Sequence, residues 1–168
     1  MAVALILYID GADNENSYLR VSMQERRKGR EQIRMGEIYT FGVKTGQVNA
    51  MVNITSEINK AINESGVRDG ICVVFVPHTT AGIIVSENAD PDAVRNFIMD
   101  MNKIIPVNDN LKHITDNSSA QTKATLAGSS LTLVIDDGRL LLGTWQGIYF
   151  LEFDGPRIRK VHVKILES

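Results

Sequence analysis

GSSLTLVIDDGRLLLGTWQGIYFLEF, residues Gly128 to Phe153, decides how this chain is read. Ser130 to Ile135 is rich in leucine and β-branched residues and predicts a strand. Asp136-Asp137-Gly138 is turn chemistry, because glycine tolerates the positive φ that a tight hairpin needs. Arg139 to Phe153 then predicts one long returning strand. Gly143 and Gly147 interrupt it and flank Trp145, the only tryptophan of the chain. Glycine inside a strand marks a bulge or a close approach of another backbone or a ligand. A shaped surface and a barrel-corner bend around a core tryptophan both fit.

Working outward, Arg157 to Leu166 predicts the last strand, with Val161, Val163 and Ile165 inward and His162 on the opposite face with Lys160 and Lys164. Upstream, Gly70 to Val76 is a continuous apolar run and predicts a strand buried on both faces. Pro77 ends it. His78-Thr79-Thr80 leaves the strand end, and Ile83-Ile84-Val85 resumes extended structure. Glu37 to Lys44 and Gln47 to Ile54 predict a hairpin around Thr45-Gly46, the second strand alternating with a period of two.

Three helices are predicted between the strands. Thr55 is the expected N-cap of the first, Ile58, Ala61 and Ile62 its apolar stripe, and Gly66 its stop. Asp90 is the expected cap of the second, with Pro91 at its first position; Val94, Phe97, Ile98, Met101 and Ile105 form its stripe. Ser118 to Ala127 is the third and shortest, closed by Gly128. Hairpins at both ends and no regular βαβ alternation give an α+β class with mostly antiparallel strands.

The chain has 168 residues, 23% charged and 43% hydrophobic, with a net charge of −2. That suits one soluble domain and offers no global field for nucleic acid or an anionic membrane. Cys72, the single cysteine, lies in an apolar strand and reads as a small buried hydrophobe. The apolar start, Val3 to Ile9, falls short of the roughly 20 residues a spanning helix needs. It lacks the basic lead and cleavage site of a secretory signal, so a cytoplasmic protein is expected. Tyr18 to Arg34 is rich in basic residues but has no interleaved aromatic from Arg26 to Arg34, so no nucleic-acid partner is expected.

Chemistry could sit in few places. His78 follows a buried strand in a loop with Thr79 and Thr80, where functional residues tend to be displayed. His113 lies in the polar loop from Asn108 to Asn117. Glu87 precedes Asn88 and could serve as general base or ligand. Lys123 could meet a phosphate as a point charge, or be an ordinary surface lysine. Ser129, Ser130 and the backbone near Gly128 could donate to an oxyanion. No phosphate-binding glycine loop, dinucleotide fingerprint, serine-hydrolase elbow or HExxH is present. His78 and His113 are expected to converge on one pocket, with Glu87, Lys123 and Gln121 at its rim.

His78-Thr79-Thr80, Glu87-Asn88-Ala89-Asp90-Pro91 and the Gly143 to Gly147 segment resemble the YjbQ-like family, also known as the secondary thiamine-phosphate synthase family. The resemblance covers Gly36 to Leu166, leaving residues 1–35 as an extension and 36–168 as one domain. It implies a jelly-roll-like β-sandwich with two main helices packed outside, assembled as a homotrimer. It implies a transferase joining a pyrimidine diphosphate to a thiazole phosphate; the alternative is a non-catalytic trimer that binds a metal or a small anion. His78 and His113 would ligate a divalent ion, zinc or magnesium. Glu87, Asp90 and Lys123 would be catalytic. Thr79, Thr80, Asn88, Gln121, Ser129, Thr144, Trp145 and Gln146 would contact a small phosphorylated ligand. The chain departs from the family pattern at Gln121 and Phe153, where histidines are expected, and a carboxamide is the weaker zinc ligand.

Overall fold

A computed structural model describes residues 38–88, 91–106 and 117–168. Asp90, His113 and the readings for residues 1–37 lie outside the described residues. Among these described residues, eight strands and three helices follow in chain order: β1 (Ile38–Lys44), β2 (Ala50–Asn53), α1 (Thr55–Ser65), β3 (Gly70–Phe75), β4 (Ala81–Glu87), α2 (Pro91–Ile104), α3 (Ser118–Ala127), β5 (Ser130–Asp136), β6 (Arg139–Leu140), β7 (Gln146–Glu152) and β8 (Ile158–Glu167). Every strand pairing is antiparallel. One sheet runs β1-β8-β3-β5-β6 and the other β2-β7-β4. The class is α+β, as the pattern of strand and helix signals implies.

The long strand expected from Arg139 to Phe153 is two strands in different sheets. β5 and β6 form the predicted hairpin, with Ile135 opposite Leu140 and positive φ at Asp137 (49°) and Gly138 (77°). The chain then turns through Gly143 to Gln146, where the Gln146 N–H donates to the Gly143 carbonyl at 2.9 Å. It emerges as β7 in the other sheet. A turn, not a bulge, explains the first glycine.

The predicted hairpin of β1 and β2 is also corrected. β1 pairs with β8, and β2 pairs with β7. Local alternation specifies a strand but not its partner. Thr45, buried between them, anchors the crossing: its N–H donates to the Arg157 carbonyl at 2.9 Å and its Oγ1 accepts from Arg157 N at 2.9 Å.

The main core joins both sheets and α1. It holds Tyr39, Phe41 and Val43 from β1, Cys72 and Val74 from β3, Ile83 from β4, Ile148 and Phe150 from β7, Val161, Val163 and Ile165 from β8, and Ile58, Ala61 and Ile62 from α1. Each such side chain, fully removed from water, contributes about 1.5–3 kcal/mol before entropy is counted. Burial pushes the Cys72 thiol up to about 12, so it is no thiolate at neutral pH.

β7 is the strand buried on both faces. Its other face meets a second cluster of Ala120, Ala124, Leu151 and Phe153 with Phe97 and Met101 of α2. β3, for which that burial was expected, alternates instead: Cys72 and Val74 are buried while Ile71 and Phe75 are exposed. Continuous apolarity does not distinguish a doubly covered strand from one whose outer face is bare.

Helix ends mostly match. Gly66 closes α1 in the left-handed conformation, φ 70°. Thr55 is not the N-cap; it opens α1, and its Oγ1 accepts the Ile148 N–H at 2.8 Å, tying the helix to β7. Ile54 stands at the N-cap without a side-chain cap bond, and Asn53 Oδ1 before it accepts from Thr55 N at 2.9 Å.

Candidate functional site

β4 and β7 lie side by side, with Ala81 opposite Glu152 at one end and Glu87 opposite Gln146 at the other. Seven residues of strand hold these ends about 20 Å apart. His78 precedes the first end and Glu87 closes the second, so one chain does not bring them together. Flanking one strand separates residues rather than joining them.

At the first end, four elements meet. Glu152 is fully buried near the end of β7. Its carboxylate accepts from Arg159 Nε and Nη2, both at 2.6 Å, and from the backbone N–H groups of Phe153 and Asp154 at 3.2 and 3.0 Å. Arg159 Nη2 also donates to Thr80 Oγ1 at 2.7 Å. Planar bidentate pairing fixes the guanidinium in one pose. Hydrogen bonding to Glu152 raises the affinity of Arg159 for its proton, so the guanidinium stays charged. Arg159 Nη1 has no hydrogen-bond partner among the described residues.

His78 stands beside this pair. Its Nε2 accepts the Lys160 N–H at 2.9 Å. The proton of the neutral ring therefore sits on Nδ1. Burial lowers the His78 pKa, and the Arg159 guanidinium lowers it further. With Nε2 engaged, only Nδ1 is open to a ligand. Among the described residues, no group of three His, Cys, Asp or Glu is arranged to hold a metal ion.

At the second end, Asn88 is the hub. Its Oδ1 accepts from Asn53 Nδ2 at 2.6 Å and from Tyr149 OH at 2.8 Å, and its N–H donates to the Trp145 carbonyl at 2.8 Å. Gly147 packs so closely that an added Cβ would meet Asn88 Cβ at 3.1 Å, which accounts for the second glycine. Gln146 Oε1 accepts the Gly143 N–H at 2.8 Å. Glu87 and Thr144 are exposed. Trp145 is 66% exposed, so it is not the core tryptophan of a barrel corner. Trp145→Ala is accordingly expected to change unfolding free energy by no more than about 0.5 kcal/mol in a urea titration of dilute, unassociated chain. A loss of several kcal/mol would place the ring in the core.

Lys123 is not a surface lysine. It is 2% exposed, and its Nζ donates to Asn102 Oδ1 at 2.6 Å. Burial lowers its pKa. Gln121 turns its Nε2 to Asn117 Oδ1 at 3.0 Å, and Asn117 Nδ2 reaches Asp154 Oδ2 at 3.2 Å. Ser129 is exposed, and its carbonyl accepts the Val76 N–H at 2.8 Å. The Gly128 N–H is spent on the Ala124 carbonyl at 3.0 Å, so it is not free for an oxyanion.

Glu152 and Arg159 were not among the residues singled out from sequence. Two signals point to them: Glu152 is the one carboxylate in the apolar run Ile148 to Phe153, and Arg159 shares the inward phase of Val161, Val163 and Ile165.

Residues 39–168 match the family described as UPF0047 protein YjbQ-like. The chain belongs to the YjbQ family. A UPF0047 protein of Methanocaldococcus jannaschii is 50% identical over 129 residues, covering 77% of this chain and 94% of the relative. YugU of Bacillus subtilis is 40% identical over 128 residues, covering 76% and 97%. The crystal structure of a YjbQ/UPF0047 protein from Clostridium acetobutylicum superposes with a TM-score of 0.74 at 52% identity, covering 76% of this chain and 98% of that one. A structure from Sulfolobus solfataricus, described as a protein of unknown function, gives 0.74 at 30% identity over 78% and 96%. The YjbQ match thus spans both ends of β4, the Glu152–Arg159 pair and Lys123. No helix among the described residues is long and apolar enough to cross a membrane.

Proposed function

We propose that this protein is a non-catalytic binding protein that works as a homotrimer, its copies meeting through the outer face of the five-stranded sheet. The supporting observation is an apolar row on that face. Leu166, Ile71 and Val134 lie opposite one another on β8, β3 and β5, at 40%, 39% and 51% exposure. Phe75, 43% exposed, stacks on His162 along the same face, ring centroids 6.5 Å apart. A contiguous apolar face rimmed by polar residues is the usual mark of an association surface. The family resemblance gives three as the copy number, and the two sheets would then face each other as a sandwich within each copy.

The competing reading is the transferase that joins a pyrimidine diphosphate to a thiazole phosphate. Trp145 favours it, since an exposed indole suits a flat ring. Lys123, its expected phosphate partner, is enclosed and held by Asn102, which weighs against it.

Sedimentation equilibrium of the full chain and a Phe75→Glu variant tests the association face. A central aromatic anchor replaced by a charge is expected to weaken association about thirtyfold or more. Equal masses for parent and variant across the concentration range would remove this face from the assembly.

A further inference from the structure

We propose that the open edge of Arg159 and the Nδ1 side of His78 form a binding site for a small monocarboxylate. Arg159 is held on one side by Glu152 and Thr80, which engage Nε and Nη2 and leave both Nη1 hydrogens unused among the described residues. Holding a guanidinium in place before a ligand arrives removes most of the ordering cost of binding. His78 is oriented in the same way, because the Lys160 N–H occupies Nε2 and leaves Nδ1–H as the ring's donor. The segment from His78 to Thr80 touches both groups: Thr80 Oγ1 accepts from Arg159 Nη2 at 2.7 Å, and His78 Nε2 accepts from the next residue's N–H, that of Lys160, at 2.9 Å. One carboxylate oxygen would accept from Nη1 and the other from Nδ1.

The charge of the surroundings selects the ligand. The guanidinium of Arg159 is already balanced by the fully buried Glu152 carboxylate, at 2.6 Å. Arg157 is balanced by Asp154 at 2.7 Å. Lys160 lies one residue out of phase with Arg159 on β8 and carries its side chain on the other face. The site thus offers directed donors without surplus positive charge. A phosphate dianion or a diphosphate wants several unbalanced cations, whereas a singly charged carboxylate needs only the Nη1 donor and a second one. This site lies within one copy of the chain, so it stands or falls independently of assembly.

The test is saturation-transfer difference NMR on the methyl signal of acetate with the full chain, at constant ionic strength. The signal should saturate with acetate concentration. His78→Gln keeps a polar side chain at this half-buried position and should weaken acetate binding about fivefold, the loss of one hydrogen bond, with an unchanged melting temperature. Arg159→Lys should abolish it; if that variant fails to fold, His78→Gln decides. Phosphate and pyrophosphate should displace acetate only at concentrations well above acetate's own midpoint. An unchanged acetate signal in His78→Gln would overturn the site, and displacement by phosphate below the acetate midpoint would overturn the ligand class.

Discussion

Glu152→Ala is expected to destabilise the chain by about 3–5 kcal/mol, because it leaves the Arg159 charge without its partner in the interior. Glu152 is fully buried, and the Arg159 side chain is 11% exposed. The carboxylate also takes the Asp154 N–H at 3.0 Å and shares the Phe153 N–H with the Thr80 carbonyl, so two guanidinium donors and the Asp154 N–H lose their acceptor at once. Opposite signs of effect separate the pair from its members. The double variant Glu152→Leu with Arg159→Met removes both charges and should recover much of the loss. Guanidinium unfolding curves measure all three. A loss below about 1 kcal/mol for the single variant would mean that water reaches Arg159 freely.

Gly155→Ala is expected to cost about 3 kcal/mol through overpacking. An added Cβ would stand 2.2 Å from the Gln47 carbonyl oxygen, and 3.0 Å from both Glu152 Cγ and Thr45 Oγ1. The carbonyl belongs to the crossing between the sheets, where Gly155 N also donates to the Val48 carbonyl at 3.0 Å. A backbone carbonyl at that distance cannot give way as a flexible side chain would, and the Glu152 and Thr45 side chains beside it are buried. Gly46→Ala is the control: it meets nothing within 4 Å and should stay within about 0.5 kcal/mol of the parent. Equal melting temperatures for the two variants would show that the crossing is loosely packed.

Elements were legible in the sequence, and their partners were not. The period of two in Val48 to Ile54 and in Val161 to Ile165 identified strands, and Gly66 and Gly128 marked helix ends. Pairing is a long-range property. β2 was expected against β1 because the two are adjacent in sequence, but it pairs with β7, about a hundred residues on, and crosses to the other sheet at Thr45. The same limit applies to sites. His78 and Glu87 are near in sequence, and β4 holds them apart. Glu152 and Arg159 converge because a turn folds β8 back towards β7. Lys123 was read as exposed from helix spacing alone, since nothing local announces that Asn102 of α2 caps it. His162 was placed correctly on the outer face by strand phase, where it bonds Thr40 Oγ1 at 2.8 Å.

Multi-angle light scattering of the unmodified full chain at micromolar concentration tests the central claim, self-association through the outer sheet face, most directly. The account predicts a mass three times 18.6 kDa. A mass of 18.6 kDa throughout the concentration range would contradict it.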